Sequence, residues 1–439
     1  MIYKIGYMKN INEIFFELIQ VALGKRVCLS HSPTEDEWKM LYDMAKKQSL
    51  VGVCFAGMQR LQDQYQTPPE MLYWTWLGMA AKIQQKNEVT NKQCAEFQKM
   101  LDADGYKSCV LKGQAVASLY GSLAGLRQSG DIDTWMVAEP QEVIEWARAT
   151  GSMYYYDYHH ADLSLFQEPL TGSGQGTEIE LHYRPSLSRN LVRNARLQRW
   201  FKEEGAKHIV YHENLGFAVP DYIFNVVLTM NHNFWHLLYE GVGMRQMMDL
   251  YFGLRSALQE DKKACGEKAV LTKTEKKSVE TADSLLEPLA NDCLAEIVSK
   301  LPSSTNQSSA PLSGDAVSTA KNIKNLQDES LKLLKHLKLL RFASASMWIM
   351  KEVFGLDDEY LLCEPDADAG SFLLDEIMQA GNFGKHDDRL GKDRYSSRMR
   401  LFGSWVKHNL RLIRQYPKDV LWTPIGILYI TLWRRIKSL

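Results

Sequence analysis

A chain of 439 residues with 45% hydrophobic and 24% charged side chains is long enough for two or three cores, and its balance excludes fibrous and disordered classes. Its 52 basic and 53 acidic residues leave a formal charge of -1, so no long-range field draws it to nucleic acid or to an anionic membrane. Seven cysteines, scattered and never spaced C-x-x-C, exclude a zinc knuckle and a disulfide framework and lead us to expect a reducing, cytoplasmic setting.

The first segment, MIYKIGYMKNINEIFFELIQ, carries charge through its apolar positions and lacks the core of a signal peptide. No stretch reaches the roughly 18 apolar residues of a spanning helix. Residues 1–104 are expected to form a helical region. TEDEWKMLYDMAKKQSLVGVCFAGMQRL starts at Thr34 ahead of acidic residues, and a long amphipathic helix runs from the Pro68-Pro69 pair to Gly105.

Residues 105–215 change pattern. KSCVL is predicted as a strand, QAVASLYGSL as a short helix, DIDTWMV as a strand, and PQEVIEWARATG as a helix with proline entry and glycine exit. MYYYDYHHADLSLF and TEIELHYR then form two strands joined by a hairpin through QEPLTGSGQG. The fold class is therefore α+β, with an antiparallel component and helices on either side in sequence.

Residues 216–257 return to helix. Residues 258–325 are rich in Ser and Lys and read as a polar, partly mobile insertion, and residues 326–439 close the chain as a helical region. The final VLWTPIGILYITLWRRIKSL pairs an apolar run with Arg434, Arg435 and Lys437. A helix docked on its own domain is the favoured reading, and a helix lying on a membrane surface is the rival.

The chemistry concentrates in VLKGQAVASLYGSLAGLRQSGDIDTWM, residues 110–136. Asp131 and Asp133 sit two apart, so on a strand both leave the same face. Paired carboxylates repel unless a cation lies between them, and Mg²⁺, with Mn²⁺ as the next choice, is the hard ion that oxygen ligands suit. TEIELHYR offers a third carboxylate: Glu178, Glu180 and His182 share one face, and mid-strand Glu180 completes the cluster if the two strands are neighbours. Upstream, Gly113 permits a tight turn at which a following helix presents N–H groups to an anion, and Lys112 and Arg127 are the cations at hand for a triphosphate.

The order L-K-G, then R-x-x-G-D-I-D, then E-L-H resembles the nucleotidyltransferases of the DNA polymerase β superfamily, and within it a bacterial, largely uncharacterised family. NHNFWH, GVGMRQMMDL and GNFG are similar to that family's helical portion, so the resemblance spans roughly residues 30 to 385. It implies a polymerase β-like palm in which Gly113 lies in the nucleotide turn, with Lys112 and Gln114 beside it. Asp131 and Asp133 would be metal ligands and Glu180 the third carboxylate. The superfamily's usual turn is Gly-Ser or Gly-Gly, so the serine that commonly touches phosphate is missing here.

Other residues carry two readings each. His182 and His160 are candidate substrate contacts or structural histidines. His232 and His236 share a helix face but lack an H-E-x-x-H frame, so packing or nucleotide contact is favoured over zinc. Arg245 either faces the site or pairs with Asp249 one turn on. P-loop, nucleophile-elbow and Rossmann signatures are absent. The expected activity is Mg²⁺-dependent transfer of a nucleoside monophosphate from an ATP-like triphosphate to a hydroxyl acceptor. A small molecule such as a sugar or an aminoglycoside-like compound is favoured over a protein side chain, and a non-catalytic nucleotide- or partner-binding protein is the rival. Long nucleic acid is disfavoured as a partner, and the oligomeric state stays open.

Overall fold

The computed structural model describes residues 2–61, 66–166, 177–257, 314–391 and 397–437. Contacts divide the chain into two units, Met1–Ser256 with Leu326–Leu439, and Ala257–Asn325. The expected hairpin turn at 167–176 and most of the expected polar insertion, 258–313, lie outside the described residues.

Helices α1 (Ile2–Ala22), α2 (Glu35–Lys47), α3 (Val51–Arg60) and α4 (Glu70–Ala103) open the first unit. The Thr34 start predicted from sequence is a full capping box: Thr34 Oγ1 accepts from the Glu37 N–H, and the Glu37 carboxylate accepts from the Thr34 N–H. The single run expected after Thr34 breaks at Gln48–Leu50, where Ser49 takes φ 55° and ends α2.

Strand β1 (Ser108–Val110) leads through α5 (Gln114–Ala117) and a 3-10 segment, Ser118–Leu126, into β2 (Ile132–Met136) and α6 (Pro140–Ala149). The predicted strand from Met153 to Phe166 is two strands, β3 (Met153–Tyr156) and β4 (His160–Leu163), paired antiparallel across a turn, and β5 (Ile179–His182) follows. The five strands run in the order β1-β2-β5-β4-β3, with β2 and β5 parallel and every other pair antiparallel. This is a mixed sheet in an α+β fold.

Period-two alternation gives the sheet its faces. Ile132, Met136, Ile179 and Leu181 join Phe97 and Leu101 of α4 and Val143 of α6 in one buried cluster. The opposite face carries Asp133, Trp135, Glu180 and His182. Trp135 packs there on Phe201 of α7 (Leu191–Glu203) and on Phe224. After a small hairpin, β6 (Ile209–His212) with β7 (Phe217–Pro220), Phe224 begins the long α8 (Tyr222–Tyr239), and α9 (Met244–Arg255) follows.

Helix α10 (Gly314–His336) runs from the second unit into the first, and α11 (Leu340–Glu352), α12 (Ala367–Ala380), α13 (Arg398–Leu412) and α14 (Pro417–Lys437) follow. One helix was expected from Glu329 to Leu356. It is split at Lys338, whose φ of 58° turns the chain between α10 and α11. Helix α14 touches its own unit through Tyr429 and Trp433 on Tyr158, although the favoured reading of the terminal segment expects its whole apolar face to dock. Leu421, Ile425, Leu428, Leu432 and Ile436 form an exposed stripe on the same helix. Among the described residues, no helix is long and apolar enough to cross a membrane.

Candidate active site

Where β1 ends, the Leu111 N–H donates to the Asp133 carbonyl (2.8 Å), so the next residue, Lys112, lies beside the aspartate strand. Gly113 then turns the chain with φ 52°, a conformation that favours glycine, against the Asp131 carbonyl. On the other flank of β2 the parallel register sets Asp133 opposite Glu180. Asp131, Asp133, Glu180, Lys112 and His182 consequently line one cavity of about 510 Å³, within the usual range of about 300–1,000 Å³ for small-molecule sites. Asp133, Glu180 and His182 form one donor set whose ligating atoms lie within 4.8 Å of one another, and His159, His160 and His182 form a second.

The charges explain one another. Lys112 Nζ sits 2.7 Å from Asp133 Oδ1, and His182 Nε2 is 3.0 Å from the same oxygen and 3.3 Å from Glu180 Oε2. Burial alone would raise Asp133, but Lys112 and then His182 hold it well below the usual carboxylate range. Burial would lower His182, yet its bonds to Asp133 and Glu180 push it up to about 9. Asp131 is pushed up to about 7, first by burial and then by the neighbouring Asp133 and Glu180 charges. Three carboxylates with one lysine and one histidine leave the cluster short of positive charge, which suits a divalent cation among oxygen donors.

Histidines line the next stretch of wall. His160 contributes to it, with Nε2 2.9 Å from Asp162 Oδ1 and Nδ1 2.9 Å from His159 Nε2. From α8, His232 and His236 face the cavity with their Nε2 atoms 2.8 Å apart, and His236 Nδ1 is 2.6 Å from Glu240 Oε1. Burial lowers both, at His236 against the Glu240 carboxylate, which favours neutral rings. With His236 Nδ1–H donating to Glu240, His232 Nε2–H must donate to His236, and His232 Nδ1 is left as an acceptor.

Several expected contacts have other partners. Arg127 lines the cavity, but its guanidinium grips Asp249 through Nε (2.7 Å) and Nη2 (2.8 Å), and the Tyr120 hydroxyl donates to the same carboxylate. Asp249 is thereby used up, so the expected Arg245–Asp249 pair gives way to Arg245 Nη1 donating to the Gln128 carbonyl (2.7 Å). Gln114 does not line the cavity. Its side chain donates to Asn91 Oδ1 (2.6 Å) and accepts from Ser129. The helix it opens has only four residues, and its Ala115 N–H already donates to Lys112 O, so that N–H is not offered to a phosphate.

Residues 34–282, more than half of the chain, match the family described as uncharacterised nucleotidyltransferase. The chain belongs to this family. No curated protein and no solved structure matches the chain significantly. The matched span contains the whole sheet with α8 and α9, hence every carboxylate and histidine named above. The cavity wall from Phe383, Lys385, Ile430 and Arg434 lies beyond it.

Sequence reasoning missed His159 and Arg189 as members of this nucleotidyltransferase's cavity wall. His159 was visible beside His160, and its position in the turn before β4 aims it inward. Arg189 stands in the loop ahead of α7, and no local pattern marked it out.

Proposed function

We propose that the protein transfers a nucleoside monophosphate from a nucleoside triphosphate to a hydroxyl-bearing small molecule, on a sheet of polymerase β-like palm type. The observation that carries this reading is the Asp133–Glu180 register across β2 and β5, with Asp131 at the strand's entry, in a chain of a nucleotidyltransferase family. Mg²⁺ fits the donor set of Asp131, Asp133 and Glu180, with His182 adjoining; bound there, it would neutralise phosphate charge and polarise the phosphorus centre.

The chain's own groups account for the rest of the reaction. Gly113 lets the backbone approach the nucleotide closely, and Lys112 places an ammonium group at the carboxylates, where the phosphate chain would lie. Arg245, whose buried Nε has no hydrogen-bond partner among the described residues, replaces Arg127 as the arginine offered to the triphosphate. His232 Nδ1 is positioned to take the acceptor hydroxyl's proton, with His236 and Glu240 fixing its tautomer. Positioning and fixed charge supply most of the rate in such a reaction.

The test is calorimetric titration of each nucleoside triphosphate with Mg²⁺ into the wild type and the Asp131→Ala/Asp133→Ala variant. Metal-dependent binding is expected in the wild type and at least tenfold weaker binding in the variant. At a hundredfold excess over Kd the nucleotide should also stabilise the wild type by about 2.7 kcal/mol. Equal binding by both proteins, or by neither, defeats the proposal.

A further inference from the structure

The cavity wall is not uniform in charge. The carboxylates come from the sheet. From the loop ahead of α7, Arg189 lines the same cavity with its guanidinium carbon 4.0 Å from the centroid of the Tyr239 ring, and Tyr239 in turn stacks on Trp235 (5.4 Å, 27°). Arg189 Nε and Nη1 are both buried, and among the described residues neither has a hydrogen-bond partner.

The nearby acids are taken. Asp157 is engaged by both Nε (2.7 Å) and Nη2 of Arg434, and Glu240 by His236 Nδ1 (2.6 Å). Among the described residues, no carboxylate forms an ion pair with Arg189. Its position is nevertheless tightly fixed. Gly426 of α14 presses on its backbone so closely that a Cβ there would lie 2.3 Å from the Arg189 carbonyl oxygen. Arg189 is half-buried and also bonds to Tyr239, but two of its guanidinium nitrogens stay buried and unsatisfied, which is costly, and its fork of donors matches the two oxygens of a carboxylate or phosphate.

We propose that Arg189 binds an oxyanion, phosphate or carboxylate, carried by the acceptor, so that the acceptor is an acidic hydroxyl compound and not a neutral or cationic one. Calling the ligand the acceptor rests on the function proposed above. The anion site itself rests on Arg189 alone. The Trp235–Tyr239 face flanks this position and suits the apolar side of a ring or chain attached to the anion. Arg245 then serves the triphosphate, and Arg189 the second substrate.

The experiment titrates inorganic phosphate, acetate and acetamide into protein saturated with Mg²⁺ and a non-hydrolysable triphosphate analogue, and into protein without the analogue. The wild type should bind one anion saturably at one site and ignore acetamide. Arg189→Gln should weaken that binding at least tenfold while holding the analogue within twofold of wild type, and Arg245→Gln should weaken the analogue instead. Tighter phosphate points to a phosphate ester, tighter acetate to a carboxylic acid. If Arg189→Gln does not fold, as read by circular dichroism, Arg189→Lys replaces it, with at least a threefold loss expected because one ammonium cannot reproduce the fork. The proposal is overturned if neither anion saturates the wild type, if the Arg189 variant binds as well (an adventitious ion only), or if it loses the analogue instead. Should the aspartate variant keep its nucleotide while Arg189 still governs anion binding, the nucleotidyl-transfer reading falls and the anion site stands.

Discussion

Arg127 and Asp249 show how one buried pair separates scaffold from site. The guanidinium is 4% exposed and both its bonds to Asp249 are short, so the pair ties the segment after the 3-10 turn to α9. Removing one partner leaves an uncompensated buried charge, which costs about 3–5 kcal/mol, whereas replacing both by apolar side chains of similar volume costs far less. Asp249→Ala should therefore lower the unfolding free energy extrapolated from urea titration by that amount, and Arg127→Met/Asp249→Leu should recover most of it. A double variant as unstable as the single one would show that the pair is not self-contained. A second residue-scale pair reports on pH. His208 Nδ1 lies 2.7 Å from Asp221 Oδ2, and Asp221 Oδ1 caps α8 by accepting from the Phe224 N–H. The bond to Asp221, opposed by burial, raises the histidine above its ordinary value. The folded state thus holds that proton more tightly than the unfolded chain does. Its contribution is complete below about pH 6.5 and is lost as pH rises through the folded value. His208→Gln should flatten that part of the stability-pH curve, and an unchanged slope would remove His208 as its source.

Among the elements, the connection after α12 decides how α8 ends. Gly384 has φ 63°, and a Cβ there would lie 1.6 Å from the Glu240 carbonyl oxygen, on the residue that fixes His236. Gly384→Ala is expected to destabilise by more than the roughly 1 kcal/mol of an unstrained glycine replacement, and to disturb the His232–His236 contact, which histidine NMR shifts would register. Unchanged shifts would mean that the α12 connection yields and α8 does not. This contact joins residues far apart in sequence, and that is why no local pattern disclosed it. What was legible depended on short-range physics: Ile132, Ile179 and Leu181 alternate with Asp133 and Glu180, so both strands and both faces followed from period two. The strand order, and hence the meeting of Asp133 and Glu180, was conditional until the parallel pairing was seen. Arg127 and Gln114 have scaffold partners, and Arg245, read two ways, lines the cavity, because a polar residue near a motif serves either ligand or scaffold and only its three-dimensional partners decide which. The breaks at Ser49 and Lys338 escaped notice because neither residue is a glycine, although both take positive φ.

For the first unit as a whole, Arg193 is a residue at which several segments distant in sequence meet. Its side chain, 4% exposed, donates from Nε to the Leu337 carbonyl (2.7 Å) and from Nη2 to the Lys338 carbonyl (3.2 Å). It also pairs through Nη1 with Asp419 (2.6 Å) and lies over the Phe234 ring (5.0 Å). One arginine on α7 thereby holds α8, the α10–α11 turn and the start of α14, the helix that brings Ile430 and Arg434 to the cavity wall. A lysine supplies one point charge and cannot serve three acceptors in this fan, so Arg193→Lys should be nearly as damaging as Arg193→Met, each losing about 3–5 kcal/mol. Asp419→Ala should cost a similar amount, because the two carbonyls satisfy donors but leave the buried guanidinium without a counter-charge. The loss should also be uneven. Amide hydrogen exchange is expected to accelerate first in α14, which depends on this pair for its first turn, and last in α4, which packs in the sheet's own core. Uniform acceleration across α4, α8 and α14 would instead mean that the C-terminal helix and the sheet unfold as one cooperative block, with Arg193 serving the whole and not the wall.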